Sequence, residues 1–281
     1  MIAAPRGRGA RVLTIAREEY RRSLETRWLF AFTALFTALV LGLSYFGLAQ
    51  SEEVGFQGFS RVTLSLMNVI LFVVPLMGLT LGVESITGSA ETLPLLLAQP
   101  VTRGEVLAGK YLGLAAALTA SQALGFGAGG IVVALQAGAD QVEGFIALTA
   151  LALVLGWLSL SVALCIASLL VDRIKSLAAA LVVWLLLVVA YDLAVLGATA
   201  LLQGVPLQAV LFPALLLNPV DLARVLITLA VGSGALFGPT SAVLVKVLGG
   251  PVGVGLGLAA LAVETAAPLL VAARVFRRRD W

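Results

Sequence analysis

The sequence predicts an all-α, polytopic membrane protein with six transmembrane helices, and three observations predict it. Apolar residues make up 60% of the 281, and the mean hydropathy is +1.07. Several apolar runs exceed the roughly 18 residues that mark a spanning helix. Charged residues amount to 12%, against about 25% in ordinary soluble domains, and they collect between the runs. A single membrane domain over 1–281 follows.

Residues 11–27 come first. Val12, Leu13, Ala16, Tyr20 and Leu24 recur at helical spacing on one side, and Arg17, Glu18, Arg21, Arg22 and Glu25 fill the other. Glu18–Arg22 and Arg21–Glu25 stand four apart, where opposite charges support a helix. The pattern predicts an amphipathic helix in the headgroup layer; a plain positively charged flank is the alternative. The first span is expected over 28–49, with Trp28 and Tyr45 as interface aromatics near its ends. At about 1.5 Å per residue it is roughly 33 Å long, enough for a hydrocarbon core of about 30 Å. The second span is expected over 62–83, with a kink at Pro75 that neighbouring helices can accommodate.

The third span is expected over 106–137. It contains Gly125-Phe126-Gly127-Ala128-Gly129-Gly130, a formal GxGxxG. A dinucleotide site needs that motif between a strand and a helix, so inside a hydrophobic helix it predicts close helix packing through Gly125 and Gly129. The fourth and fifth spans are expected over 145–171 and 177–202, separated by Asp172-Arg173-Ile174-Lys175. Residues 203–250 are apolar but broken. Asn218-Pro219-x-Asp221 is a strong helix start, with Asn as N-cap, Pro at the first position and Asp in the first turn. A helix from there to about Val231, with Leu222, Val225, Leu226 and Leu229 on one face, is too short to span. A second short helix is expected at about 241–248. The two predict re-entrant or surface-lying helices on the periplasmic side, with two further spans as the alternative. The sixth span is expected over 252–276, closed by Arg277-Arg278-Arg279.

Orientation follows from charge. Six spans put the N-terminal arm, the 84–110 loop, the 172–176 loop and the C-terminus on one side, with 15 of the 18 Lys and Arg. Only Arg61, Arg224 and Lys246 fall opposite. The asymmetry predicts cytoplasmic N- and C-termini. It also accounts for the pI of about 9.3, so nucleic acid is not needed as a partner.

The loop from Glu84 to Lys110 holds Glu84, Glu91, Arg103, Glu105 and Lys110 between two spans. Its middle, Glu91 to Gln99, reads as a short helix carrying leucines at 93, 95, 96 and 97, and Pro100 ends it. Either the bilayer surface or a soluble subunit must cover those leucines. Inside the spans, Asp192 and Glu264 are the two acids. Acids at such depth cost about 2.5–3.5 kcal/mol on insertion scales, so they face a partner or a wet cavity. Lining of a cavity or gate is one reading and a structural polar contact the other.

Several chemistries are excluded. With no histidine, Ser-His hydrolysis, HExxH zinc chemistry and histidine ligation of metals are ruled out. Tyr191-Asp192 lacks the second Gly-x-Gly-Asp that an intramembrane aspartyl protease requires. Met67 and Met77 stand ten apart and Cys165 is alone, a poor path for copper; no metal site is expected. No GxxxxGK[ST] occurs, so ATP and its Mg must be bound by another chain. No cofactor is expected here, and no enzyme activity. A cleavable signal peptide is not expected either, because the first apolar run starts late and is too long.

The 84–110 loop resembles the first cytoplasmic loop of ABC-2 type transporter permeases, on Glu84, Glu91-Thr92-Leu93, Leu95-Leu96-Leu97, Pro100-Val101-Thr102-Arg103 and Gly109-Lys110. Arg17-Glu18 and Arg27-Trp28 are similar to that family's elbow helix and its lead into the first span. Within the family, Lys175-Ser176, Asp192-Leu193, Leu216-Leu217-Asn218-Pro219-x-Asp221 and the terminal arginines resemble the permease subunits of nitrous-oxide-reductase maturation transporters. Ala90, where a Gly is usual, and Glu264 depart from the pattern. The resemblance implies a type V exporter-like architecture in a bacterial or archaeal inner membrane. It implies a homodimer surrounded by membrane lipid, and two cytoplasmic ABC ATPase chains. These would be coupled through a helix that involves Glu84, Glu91, Thr92, Leu95, Leu96, Pro100 and Arg103. It further implies a periplasmic beta-helix accessory protein serving copper-site assembly, with Asn218, Asp221 and Arg224 as candidate contacts. A general ABC-2 exporter of lipid, drug or peptide is the alternative.

Overall fold

The computed structural model describes residues 7–49, 58–88, 98, 101–137, 142–201, 207–231 and 249–278. All regular structure in them is helical. The helices are α1 (Arg8–Glu25), α2 (Arg27–Ala49), α3 (Gly58–Thr87), α4 (Arg103–Ala137), α5 (Val142–Leu170) and α6 (Arg173–Leu185). A π-turn (Leu186–Ala190) joins α6 to α7 (Tyr191–Leu201), and α8 (Leu207–Leu217), α9 (Pro219–Ala230) and α10 (Pro251–Arg278) follow. Six are long and apolar enough to cross a membrane: α2, α3, α4, α5, the composite of α6 with α7, and α10. The chain is a multi-pass membrane protein.

Burial orders these helices. The apolar windows of α3 and α5 are 67% and 61% buried, whereas those of α6–α7 and α10 are 11% buried. The α3–α5 pair is therefore the centre of the bundle. Small residues let it close: a Cβ on Gly82 would stand 2.5 Å from Ala163 Cβ, and one on Gly78 2.7 Å from Ser159 Cβ. The expected close packing at Gly125 and Gly129 is also present. A Cβ there would meet Phe36 at 2.6 Å and Val40 at 2.5 Å, so both glycines seat α4 on α2.

Local signals set where the helices begin. Thr102 and Glu105 form a capping box: Thr102 N–H donates to Glu105 Oε2 at 2.8 Å, and Glu105 N–H to Thr102 Oγ1 at 3.3 Å. The third span consequently starts as a helix at Arg103. Asp172 Oδ1 accepts from Lys175 N–H at 2.8 Å, which starts α6 at Arg173. Just before it, Val171 adopts φ 61°, a left-handed conformation costly for a β-branched residue. That residue reverses the chain between α5 and α6.

Residues 207–231, between the fifth and sixth spans, form a helical hairpin. α8 runs inward, Asn218 turns the chain, and α9 runs outward. The turn lies halfway along the bundle: Pro219 and Val220 line one small apolar cavity with Pro75, Leu155 and Leu187, all near the middle of their helices. At the other end of α9, Val231 packs on Gly144 at the start of α5. The apolar face of α9 is used inside the chain. Leu222 is fully buried and Leu226 nearly so, and Val225 and Leu229 pack against the same core. The helix expected at 241–248 lies outside the described residues.

Candidate functional site

Two polar sites stand out against the apolar bundle. The first is at the end that carries α1. A stripe of Val12, Ile15, Ala16, Glu19 and Ser23 on α1 faces α4, and Ala16, Glu19 and Ser23 are buried. The two helices touch almost backbone to backbone: a Cβ on Gly113 would lie 2.5 Å from Ala16 O, and one on Gly109 2.6 Å from Ile15. The expected single apolar face of α1 is thereby divided. Val12 and Ala16 turn toward α4, while Leu13 and Leu24 remain exposed.

Glu19 is the charged member of the buried stripe, 8% exposed, and Lys110 opposite it is 2% exposed. Lys110 Nζ donates to Glu19 Oε2 at 3.0 Å, to Ser85 O at 3.0 Å and to Ser85 Oγ at 3.2 Å. Ser85 Oγ donates to Glu19 Oε1 at 2.5 Å. These bonds join α1, the last turn of α3 and the second turn of α4. A buried pair is tolerated only when such extra hydrogen bonds satisfy both ions.

Three more links surround it. Arg11 Nη2 reaches Glu105 Oε1 at 2.7 Å. Glu84 meets Arg173 through both oxygens, each at 3.0 Å, a two-pronged geometry that fixes direction. Arg103 Nη1 donates to Arg277 O at 3.1 Å. Polar residues on both sides of residues 88–102 are thus braced to other helices. Of the residues expected to couple to an ATPase, Glu84 and Arg103 fall in this frame. Glu91, Thr92, Leu95, Leu96 and Pro100 lie outside the described residues. Sequence reading missed Glu19, Ser85 and Arg173. The signal available for Glu19 was its place seven residues after Val12 and three after Ala16, inside an apolar stripe.

The second site is the hairpin turn. Asn218 is fully buried. Its Oδ1 caps α9 by accepting from Val220 N–H at 3.0 Å, and its Nδ2 donates to Leu187 O at 2.8 Å and to Asp221 Oδ2 at 2.9 Å. The bond to Leu187 has a local cause. In the π-turn, Tyr191 N–H bonds Leu186 O rather than Leu187 O, its partner in a regular α-helix. Asn218 Nδ2 donates to Leu187 O in its place. Arg224 Nη1 then bridges Asp221 Oδ1 at 2.6 Å and Asp192 Oδ2 at 3.1 Å, and Tyr191 Oη donates to Ala214 O. The hairpin is fastened to the fifth span at three points, at Leu187, Tyr191 and Asp192.

This arrangement unites groups that the sequence left separate. Asp192, expected at a cavity or gate, is a partner of Asp221 and Arg224, expected at an external surface. Asn218 is buried, so it supports the hairpin rather than offering a docking surface. Arg224 serves two carboxylates at once. Glu264 is half-buried on α10, with one carboxylate oxygen enclosed and without a hydrogen-bond partner among the described residues.

The chain also matches known proteins along nearly its whole length. The pattern that defines the ABC-2 family transporter protein matches residues 13–281. The chain is 36% identical over 276 residues to the "Probable ABC transporter permease protein NosY" of Pseudomonas aeruginosa. It is 34% identical over 283 residues to the protein of the same name from Stutzerimonas stutzeri. Each alignment covers 95% of this chain and 98% of the relative.

Proposed function

The chain belongs to the ABC-2 family of transporter permeases, and from that premise we propose that it transmits ATP-driven movement across the membrane to a periplasmic partner during copper-site maturation of nitrous-oxide reductase. A separate cytoplasmic ATPase supplies the movement, two copies per permease homodimer, through the loop between Glu84 and Lys110. The observation that carries the reading is the bracing of that loop. Both its flanks are tied to other helices, by Glu84–Arg173 on one side and by Lys110–Glu19 and Glu105–Arg11 on the other. A push on a loop held this way moves α1, α3, α4 and α6 together instead of bending the loop.

On the far side the hairpin receives the movement. Its three fastenings to the fifth span make that span and the hairpin shift as a unit. The copper ion itself is not the expected cargo. Met67 is buried against Thr228, and Met77 belongs to a different apolar cluster, so the soft ligands serve packing. The general exporter remains the second reading because of Glu264, whose enclosed oxygen would suit a polar cargo.

The test uses the purified permease–ATPase complex. Leu95→Asp with Leu96→Asp is expected to abolish permease-stimulated ATP hydrolysis while the permease still inserts. Arg224→Gln is expected to leave the ATPase assembled and to lower copper loading of nitrous-oxide reductase in cells. Coupled ATPase activity that survives the leucine changes would refute the coupling. Movement of a lipid or drug across vesicles, with copper loading intact, would establish the exporter instead.

A further inference from the structure

A groove of about 540 Å³ opens at the α1 end, between the start of α1, the start of α4 and the last turn of α10. Arg8, Arg103 and Arg277 line it, with Thr102, Gly104 and Glu105 at its base. Its charge is one-sided. Glu105 is occupied by Arg11 and by the Thr102 N–H. Arg8 and Arg277 are exposed and have no ion pair among the described residues. Gly104 matters to the shape: a Cβ there would lie 3.2 Å from the Arg277 guanidinium, so the glycine lets that group settle over α4.

Below the arginines the surface becomes apolar. Leu270 stands seven residues before Arg277, on the same face of α10 and about 10 Å deeper, and Val263 continues the line another two turns down. Leu270 is 58% and Val263 66% exposed. A guanidinium cluster above an exposed apolar rail matches a phosphate head on an acyl chain, not a soluble anion.

We propose that this groove binds the phosphate of an anionic phospholipid of the inner leaflet, with the acyl chain along Leu270 and Val263. Basic pockets between spans on the cytoplasmic side suit such headgroups. The site adjoins the C-terminal flank of the loop between Glu84 and Lys110, sharing Arg103 with it, and it rests on the placement of the α1 end in the cytoplasm, which cysteine labelling decides independently.

The experiment uses the whole permease–ATPase complex, stripped of lipid in detergent. It is titrated with phosphatidylglycerol, phosphatidylcholine or inorganic phosphate and followed by native mass spectrometry. Phosphatidylglycerol is expected to be retained over phosphatidylcholine. Arg8→Gln with Arg277→Gln should weaken that retention about thirtyfold, and Arg8→Lys with Arg277→Lys should keep most of it. Leu270→Gln should weaken lipid retention without touching phosphate binding. Equal retention of the two lipids overturns the proposal, as does unchanged retention in the Gln variant. Displacement of the lipid by equimolar phosphate marks a soluble-anion site and overturns it too. Loss of the ATPase from the Gln variant, with lipid retention unchanged, makes the groove a protein-docking face and also overturns it.

Discussion

Lys110 and Glu19 can be replaced together more safely than singly. Lys110→Met would leave the Glu19 carboxylate buried with Ser85 alone. Removing one partner of a buried pair costs about 3–5 kcal/mol, whereas apolar replacement of both is often close to neutral. Denaturant unfolding of the detergent-solubilised protein should show that loss for Lys110→Met and recovery of most of it in Glu19→Leu/Lys110→Met. A loss under about 1 kcal/mol for the single variant, as for surface pairs, would mean that water reaches the pair.

At the scale of elements, the contact of α1 with α4 is decided by glycines. Gly113→Val would drive a side chain into the Ala16 carbonyl, whose oxygen would stand only 2.5 Å from the new Cβ. Backbone cannot yield without displacing α1, and overpacking of this kind costs about 1–3 kcal/mol. Hydrogen exchange of the α1 amides should accelerate in Gly113→Val. Gly127→Val is the control, because a Cβ there meets nothing within 4 Å. Equal exchange in both variants would mean that α1 is not seated on α4. The hairpin has an equivalent dependence on the π-turn. Asn218→Leu would remove the cap of α9 and the donor to Leu187 O in one change. Exchange should rise at both the start of α9 and the π-turn, and a rise at α9 alone would separate the two.

For the whole molecule, the distribution of Lys and Arg predicts that the α1 end and Arg278 lie in the cytoplasm. With Cys165 replaced by Ser, single cysteines at Glu52 and Arg278 should label from opposite sides of the membrane. Labelling from the same side would overturn the six-span topology. The number of spans, the helix start at Asn218 and the family were legible in the sequence, whereas the caps at Thr102 and Asp172 start their helices at Arg103 and Arg173, ahead of the expected 106 and 177. Hydropathy, charge and capping are properties of neighbouring residues, so the chain states them locally. The close packing at Gly125 and Gly129 was legible for the same reason, since small residues four apart mark a helix face. What the tertiary structure alone decided is which polar groups meet. Glu19 finds Ser85 and Lys110 at separations of 66 and 91 residues, and Arg224 finds Asp192 at 32. In a bundle of nearly uniform apolar helices, periodicity indicates that a face is buried but not against what. The π-turn that displaces one carbonyl toward Asn218 has no signature in Leu186–Ala190. Only the fold could join Asp192 to the hairpin and place Glu19 beside Ser85 and Lys110, because burial of an ion is stable only where its partner has already been brought to meet it.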